Sequence, residues 1–165
     1  MDTQALFGLS ILMSFIAFGL VARFYIWPRL RTLGQTEALL PLVLPHTFRF
    51  VGLGFLVPGV VSASLPAAFA VPAAYGDLVA AILAVAASIA LRRQAALAML
   101  LVWLFSLWGT ADLLFAFYQG LSGALPDVGS LGAAFFIPTA IVPPLLITHG
   151  MIFRLLLRRH AQATG

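Results

Sequence analysis

Five ionisable side chains in this chain fall inside or at the edge of long apolar runs: Asp77, Asp112, His46, Arg49 and His149. Such groups are costly within a bilayer, so each is a functional candidate. Asp77 and Asp112 come first. Asp77 lies 16 residues before Arg93 and Asp112 lies 19 after it, in two runs joined at Arg92-Arg93-Gln94. As an antiparallel helical pair they reach depths differing by about 4–5 Å. The sequence puts both in the half of the membrane without arginine, lysine or histidine, so neither has an expected basic partner. Two such carboxylates could take up a proton, share one, or hold a cation. Thr139, at similar depth on another run, could add an oxygen. Tyr75, Tyr118 and Gln119 lie nearer the surface. A structural role competes. Asp77 falls in the second turn of a helix expected from Pro72, where a carboxylate complements the helix dipole. Asp112 could simply hydrogen-bond a neighbouring helix.

His46, Arg49 and His149 form a second group, expected toward the cytoplasmic side. Two histidines on facing helices can ligate haem, with an arginine near the propionates. The plainer reading has His149 bonding a carbonyl freed by Pro143-Pro144, and His46 with Arg49 among lipid head groups. Zinc fits less well, because only two ligands are placed and four are usual. Trp103 and Trp108 are candidates to line a site. Trp108 and Asp112, four residues apart, share a helix face.

Catalytic machinery is not visible. There is no G-x-S-x-G, no Ser-Lys pair, no HExxH and no phosphate loop after a strand. No enzyme activity is expected. The chain has no cysteine, which removes disulfides and thiol chemistry.

These residues need helices to carry them. Of 165 residues, 62% are hydrophobic and 8% charged, and mean hydropathy is +1.08. A soluble domain is closer to half apolar and a quarter charged. Spans of about 20 residues are expected at about 5–27, 45–65, 72–91, 95–118 and 131–157, forming one all-helical transmembrane domain. The stretch 38–45, broken by Pro41 and Pro45, is expected to lie in the interface. Gly76, Ala80, Ala84 and Ser88 recur every four residues, which allows close helix approach and places that span centrally. Pro143-Pro144 should kink the last span, and the tail from His160 to Gly165 should fray.

All nine basic residues are arginine: 23, 29, 31, 49, 92, 93, 154, 158 and 159. Five spans with the N-terminus outside put every arginine-bearing end in the cytoplasm; four spans do not. The charge of +4 is therefore read as orientation and anchoring, not nucleic-acid binding. The first run ends at Arg23 without a cleavage site and reads as a retained span rather than a signal peptide. Abundant alanine and exclusive use of arginine suggest a bacterial source, hence an inner membrane.

The segments Leu44–Gly52, Ala73–Leu78 and Trp108–Leu114 resemble small uncharacterised bacterial inner-membrane proteins and are loosely similar to the DoxX-like group. That group is typically four-span, whereas this chain reads as five. The resemblance carries no functional residue across. Three function classes follow. One is an accessory, interaction or small-ligand-binding membrane protein with a homo-oligomer or membrane-complex partner. Another is an ion or proton pathway through Asp77 and Asp112. The last is a haem binder using His46 and His149.

Overall fold

Five helices long and apolar enough to cross a membrane make up the structure, a computed structural model that describes residues 2–121, 125 and 127–163 (backbone alone for 121 and 159–163). They are α1 (Thr3–Leu30), α2 (Gln35–Leu56), α3 (Ala67–Arg92), α4 (Ala98–Gly120) and α5 (Ile137–Arg158). No strand occurs among the described residues. The count of five matches the expectation; both ends of the second span and the starts of the third and fifth differ from it by five to ten residues.

The second span was expected from Pro45 to Leu65. It begins ten residues earlier, at Gln35, and stops at Leu56. The stretch expected in the interface is helix instead. Gln35–Val43 is α-helical and carries Pro41 inside it. Leu44–Leu56 then continues as a 3₁₀-helix with Pro45 in its first turn, where a missing N–H leaves no intrahelical bond unmade. Thirteen residues is long for this geometry. Its consequence is a change of period. Side chains three apart eclipse in a 3₁₀-helix, and the buried residues of this segment are His46, Arg49, Gly52 and Phe55. They form one straight row. In an α-helix each step of three would rotate the row by about 60°.

The helix of α3 begins at Ala67, so Pro72 lies inside it. Pro72 cannot bond the Ala68 carbonyl four residues back. Gln119 on α4 supplies the missing donor, its Nε2 lying 3.1 Å from that oxygen. Gly76, Ala80, Ala84 and Ser88 are all buried, as their spacing predicts, and α3 is the most buried of the five spans. In α5 the expected kink takes the form of a π-helical turn, Ile137–Ile141, just before Pro143-Pro144. Such a turn absorbs the register change that prolines impose. The helix then runs to Ala163, past the start of the expected frayed tail; 164–165 lie outside the described residues.

Apart from Arg49, the arginine side chains among the described residues, 23, 29, 31, 92, 93, 154 and 158, gather at one end of the bundle. There Arg154 and Arg158 lie over the Trp27 ring at 4.5 and 4.9 Å, and Gln35 Nε2 donates to the Leu155 carbonyl at 3.1 Å. At the opposite end the α2–α3 and α4–α5 connections pair through Ser62 N to Ser130 O, 2.9 Å, and Ala133 N to Val60 O, 2.8 Å. Gly132 between them has φ +53°, and a Cβ there would meet the Val60 carbonyl. Part of the expected loop over 119–130 lies outside the described residues.

The apolar core is in two pieces. One, at the arginine-rich end, includes Leu39, Leu91, Phe105 and Ile152. The other, at the opposite end, includes Phe55, Phe69, Leu113 and Leu131. Buried His46, Arg49, Asp77 and His149 belong to neither and make a polar layer between them. α1 packs mainly against α5 and buries little of itself, leaving Leu9, Leu12, Met13 and Ile16 outward.

Candidate functional site

Arg49 holds three helices together. Its Nε donates to Asp77 Oδ1 on α3 at 2.7 Å. One terminal nitrogen donates to Asp112 Oδ2 on α4 at 2.5 Å, and the other to the Gly109 carbonyl at 3.1 Å. Arg49 is 1% exposed. Counting from the arginine-poor ends of their helices, Arg49 is 7 residues deep, Asp77 is 10 and Asp112 is 8. At 2.0 Å per 3₁₀ residue and 1.5 Å per α residue, all three lie about 12–15 Å from those ends, at matching depth in the bundle.

This corrects the expectation that Asp77 and Asp112 lack a basic partner. Their partner is Arg49, which is not at the arginine-rich end of its span. The error came from the span's start. Ten missing residues moved Arg49 from the interior of its span to its edge. The earlier start of α3 likewise removes Asp77 from the second turn, so it is not a dipole partner.

Glycines make the clamp possible. A Cβ on Gly52 would overlap Asp77 Oδ2, and one on Gly76 would overlap Asp112 Oδ1. At Gly109 a Cβ would stand 2.7 Å from His149 Nε2 and 2.9 Å from an Arg49 terminal nitrogen. Each carboxylate thus gives one oxygen to Arg49 and rests the other against a neighbouring helix's backbone.

The two histidines do converge. Their ring centroids are 4.3 Å apart, and Phe105 packs on both, at 4.8 Å from His46 and 5.0 Å from His149. His46 Nε2 is paired with Thr148 Oγ1 at 2.9 Å. His46 Nδ1 and both His149 nitrogens have no hydrogen-bond partner among the described residues, so His149 does not cap a carbonyl freed by the prolines. With the rings already in contact, no porphyrin plane fits between them. Among the described residues no group of three or more His, Cys, Asp or Glu is placed to hold a metal.

Beyond the clamp, toward the arginine-poor end, lies a cavity of about 310 Å³. Asp77 and Asp112 line it and Arg49 does not. Its walls are mostly apolar, with Phe7 from α1, Phe55 from α2, Phe69 from α3 and Phe117 from α4, and the Gln4 amide of α1 also borders it. Gly8 of α1 also faces it.

The other candidates lie apart. Thr139 is buried, but its hydroxyl donates to the Phe135 carbonyl at 2.8 Å. Trp103 packs on Phe153 at 5.9 Å. Trp108 faces outward and shares a shallow groove with Asp112, as the four-residue spacing predicts, its indole donating to the Gly76 carbonyl at 3.3 Å. Tyr75 and Tyr118 are exposed. Sequence reasoning missed the glycine seats and the phenylalanine walls. The available signal was the period-three row His46, Arg49, Gly52, Phe55, with Arg49 the arginine set between Phe48 and Phe50 in an apolar run.

A family model described as a domain of unknown function, DUF8737, matches residues 6–157. The chain belongs to the DUF8737 family. That match spans all five helices of this DUF8737 chain and every residue of the clamp. No curated protein and no solved structure matches it.

Proposed function

We propose that this chain is an integral protein of a bacterial inner membrane that binds a small, largely apolar molecule, without chemistry of its own. The cavity beside the Arg49 clamp carries this reading. Ligand pockets are mostly apolar, with a few fixed polar groups, and start at about 300 Å³. A cavity of about 310 Å³ is near that lower bound. At roughly 30 Å³ per water-sized group it takes about ten heavy atoms. An alcohol such as 3-phenylpropan-1-ol has that size, an aryl body for the phenylalanine walls and a donor for the carboxylates.

Gly8 offers the test. A Cβ there meets nothing within 4 Å, so Gly8→Phe should fill the cavity without disturbing the fold. Equilibrium dialysis of detergent-solubilised protein against empty micelles should show saturable uptake of 3-phenylpropan-1-ol, weakened at least tenfold in Gly8→Phe. Absence of saturable binding, or equal binding by a folded Gly8→Phe, would remove the ligand reading.

The arginine-rich end supports an N-out, C-in orientation, because Lys/Arg excess marks the cytoplasmic side. The chain has no cysteine, so single cysteines report without background. Ser64 and Ala95 are exposed at opposite ends. A membrane-impermeant maleimide applied to intact spheroplasts should label Ser64→Cys and spare Ala95→Cys. The reverse pattern would invert the orientation.

A further inference from the structure

We infer that the cavity selects a hydrophobic organic cation, an ammonium of about ten heavy atoms. This rests on the ligand reading above and names its charge class. The first observation is a charge imbalance. One guanidinium faces two carboxylates, which leaves one negative charge in excess when all are ionised. A buried net charge is costly unless something compensates it.

The second observation is where that charge points. Asp77 and Asp112 line the cavity, while Arg49 stands behind them and no basic side chain lines it among the described residues. Each carboxylate gives one oxygen to Arg49 and packs the other against Gly52 or Gly76, and both aspartates border the cavity. The cavity's floor is therefore its negative end. The third observation is the wall. Four phenylalanines from four helices line it, and aromatic faces attract cations while accepting an apolar body. An anion would meet two carboxylates, which is unfavourable. A neutral ligand would leave the excess charge to be met by a proton, whereas an ammonium meets it directly.

Lipid head groups carry ammonium too. The carboxylates lie about 12–15 Å below the helix ends, deeper than a head group sits, so a free amine is the better occupant.

The experiment compares isosteres. 3-Phenylpropylammonium and 3-phenylpropan-1-ol have the same heavy-atom count and shape and differ in charge. Their dissociation constants are measured by equilibrium dialysis of the full chain in an uncharged maltoside detergent. The ammonium should bind at least tenfold tighter, and 3-phenylpropanoate should not bind. The ammonium-to-alcohol ratio should fall to within about threefold in Asp112→Asn, and likewise in Asp77→Asn, each of which leaves Arg49 one carboxylate. Equal affinity for ammonium and alcohol in the wild type would overturn the cation inference and leave the ligand reading standing. A preference that survives both folded variants would overturn the role given to the carboxylates. Failure of both probes to bind would overturn the ligand reading itself. Competition by added phosphatidylethanolamine would overturn the free amine in favour of a lipid head group.

Discussion

Arg49→Leu should destabilise the protein by about 3–5 kcal/mol, the largest effect expected of any single substitution. Removing one partner of a buried ion pair leaves the other charge uncompensated, and here two carboxylates are stranded at once. The Gly109 carbonyl loses its extra donor as well. Three helices lose the contact that ties them at mid-depth, where the core is otherwise split in two. Denaturant unfolding in detergent, followed by far-ultraviolet circular dichroism, measures the loss. Most of it should return in Arg49→Leu/Asp77→Asn/Asp112→Asn, because replacing all members of a buried ionic group by neutral ones is often tolerated. A single-variant loss below about 1 kcal/mol would show that the clamp does not hold the bundle.

Gly76→Ala should cost about 3 kcal/mol, with the opposite sign to the usual effect. Alanine normally gains about 1 kcal/mol over glycine inside a helix. At Gly76 the new methyl would collide with Asp112 Oδ1 and stand 2.6 Å from its Cγ. Overpacking of this kind costs about 1–3 kcal/mol. Asp112 can relieve it only by moving off Arg49, which adds part of the ion-pair loss. Gly150→Ala is the control. It lies in α5, where a new methyl would meet nothing within 4 Å, and should be neutral or stabilising. Equal behaviour of the two alanine variants would mean that Gly76 does not seat Asp112.

The helical class and the five spans were legible because both follow from local composition. Apolar runs of the required length are visible one residue at a time, and so are the arginines that end them. The small-residue ladder on α3 was legible for the same reason: a four-residue period maps onto one helix face. The Arg49 clamp was not. Its recognition depended on where α2 starts, and Pro41 and Pro45 read as breakers when one sits inside an α-helix and the other opens a 3₁₀-helix. An error of ten residues in a boundary is an error of half a membrane in depth. The roles of Gly52, Gly76 and Gly109 were hidden as well, because a glycine's purpose here is set by a side chain on another helix. Gln119 belongs with them: its amide answers Pro72, which is 47 positions away in the chain.

By itself the sequence determined how many helices there are and which side chains had to be explained, since hydropathy and charge are properties of single residues and short windows. It also determined that Asp77 and Asp112 would lie at nearly equal depth, because one tight turn joins their helices. Only the tertiary structure decided that Arg49 stands between them. It alone made a cavity whose negative floor and phenylalanine walls come from four separate helices. The physical reason is that a buried charge is defined by its partner. A partner on another helix depends on the depth, rotation and 3₁₀ winding of the segment that carries it, and no local window contains all three.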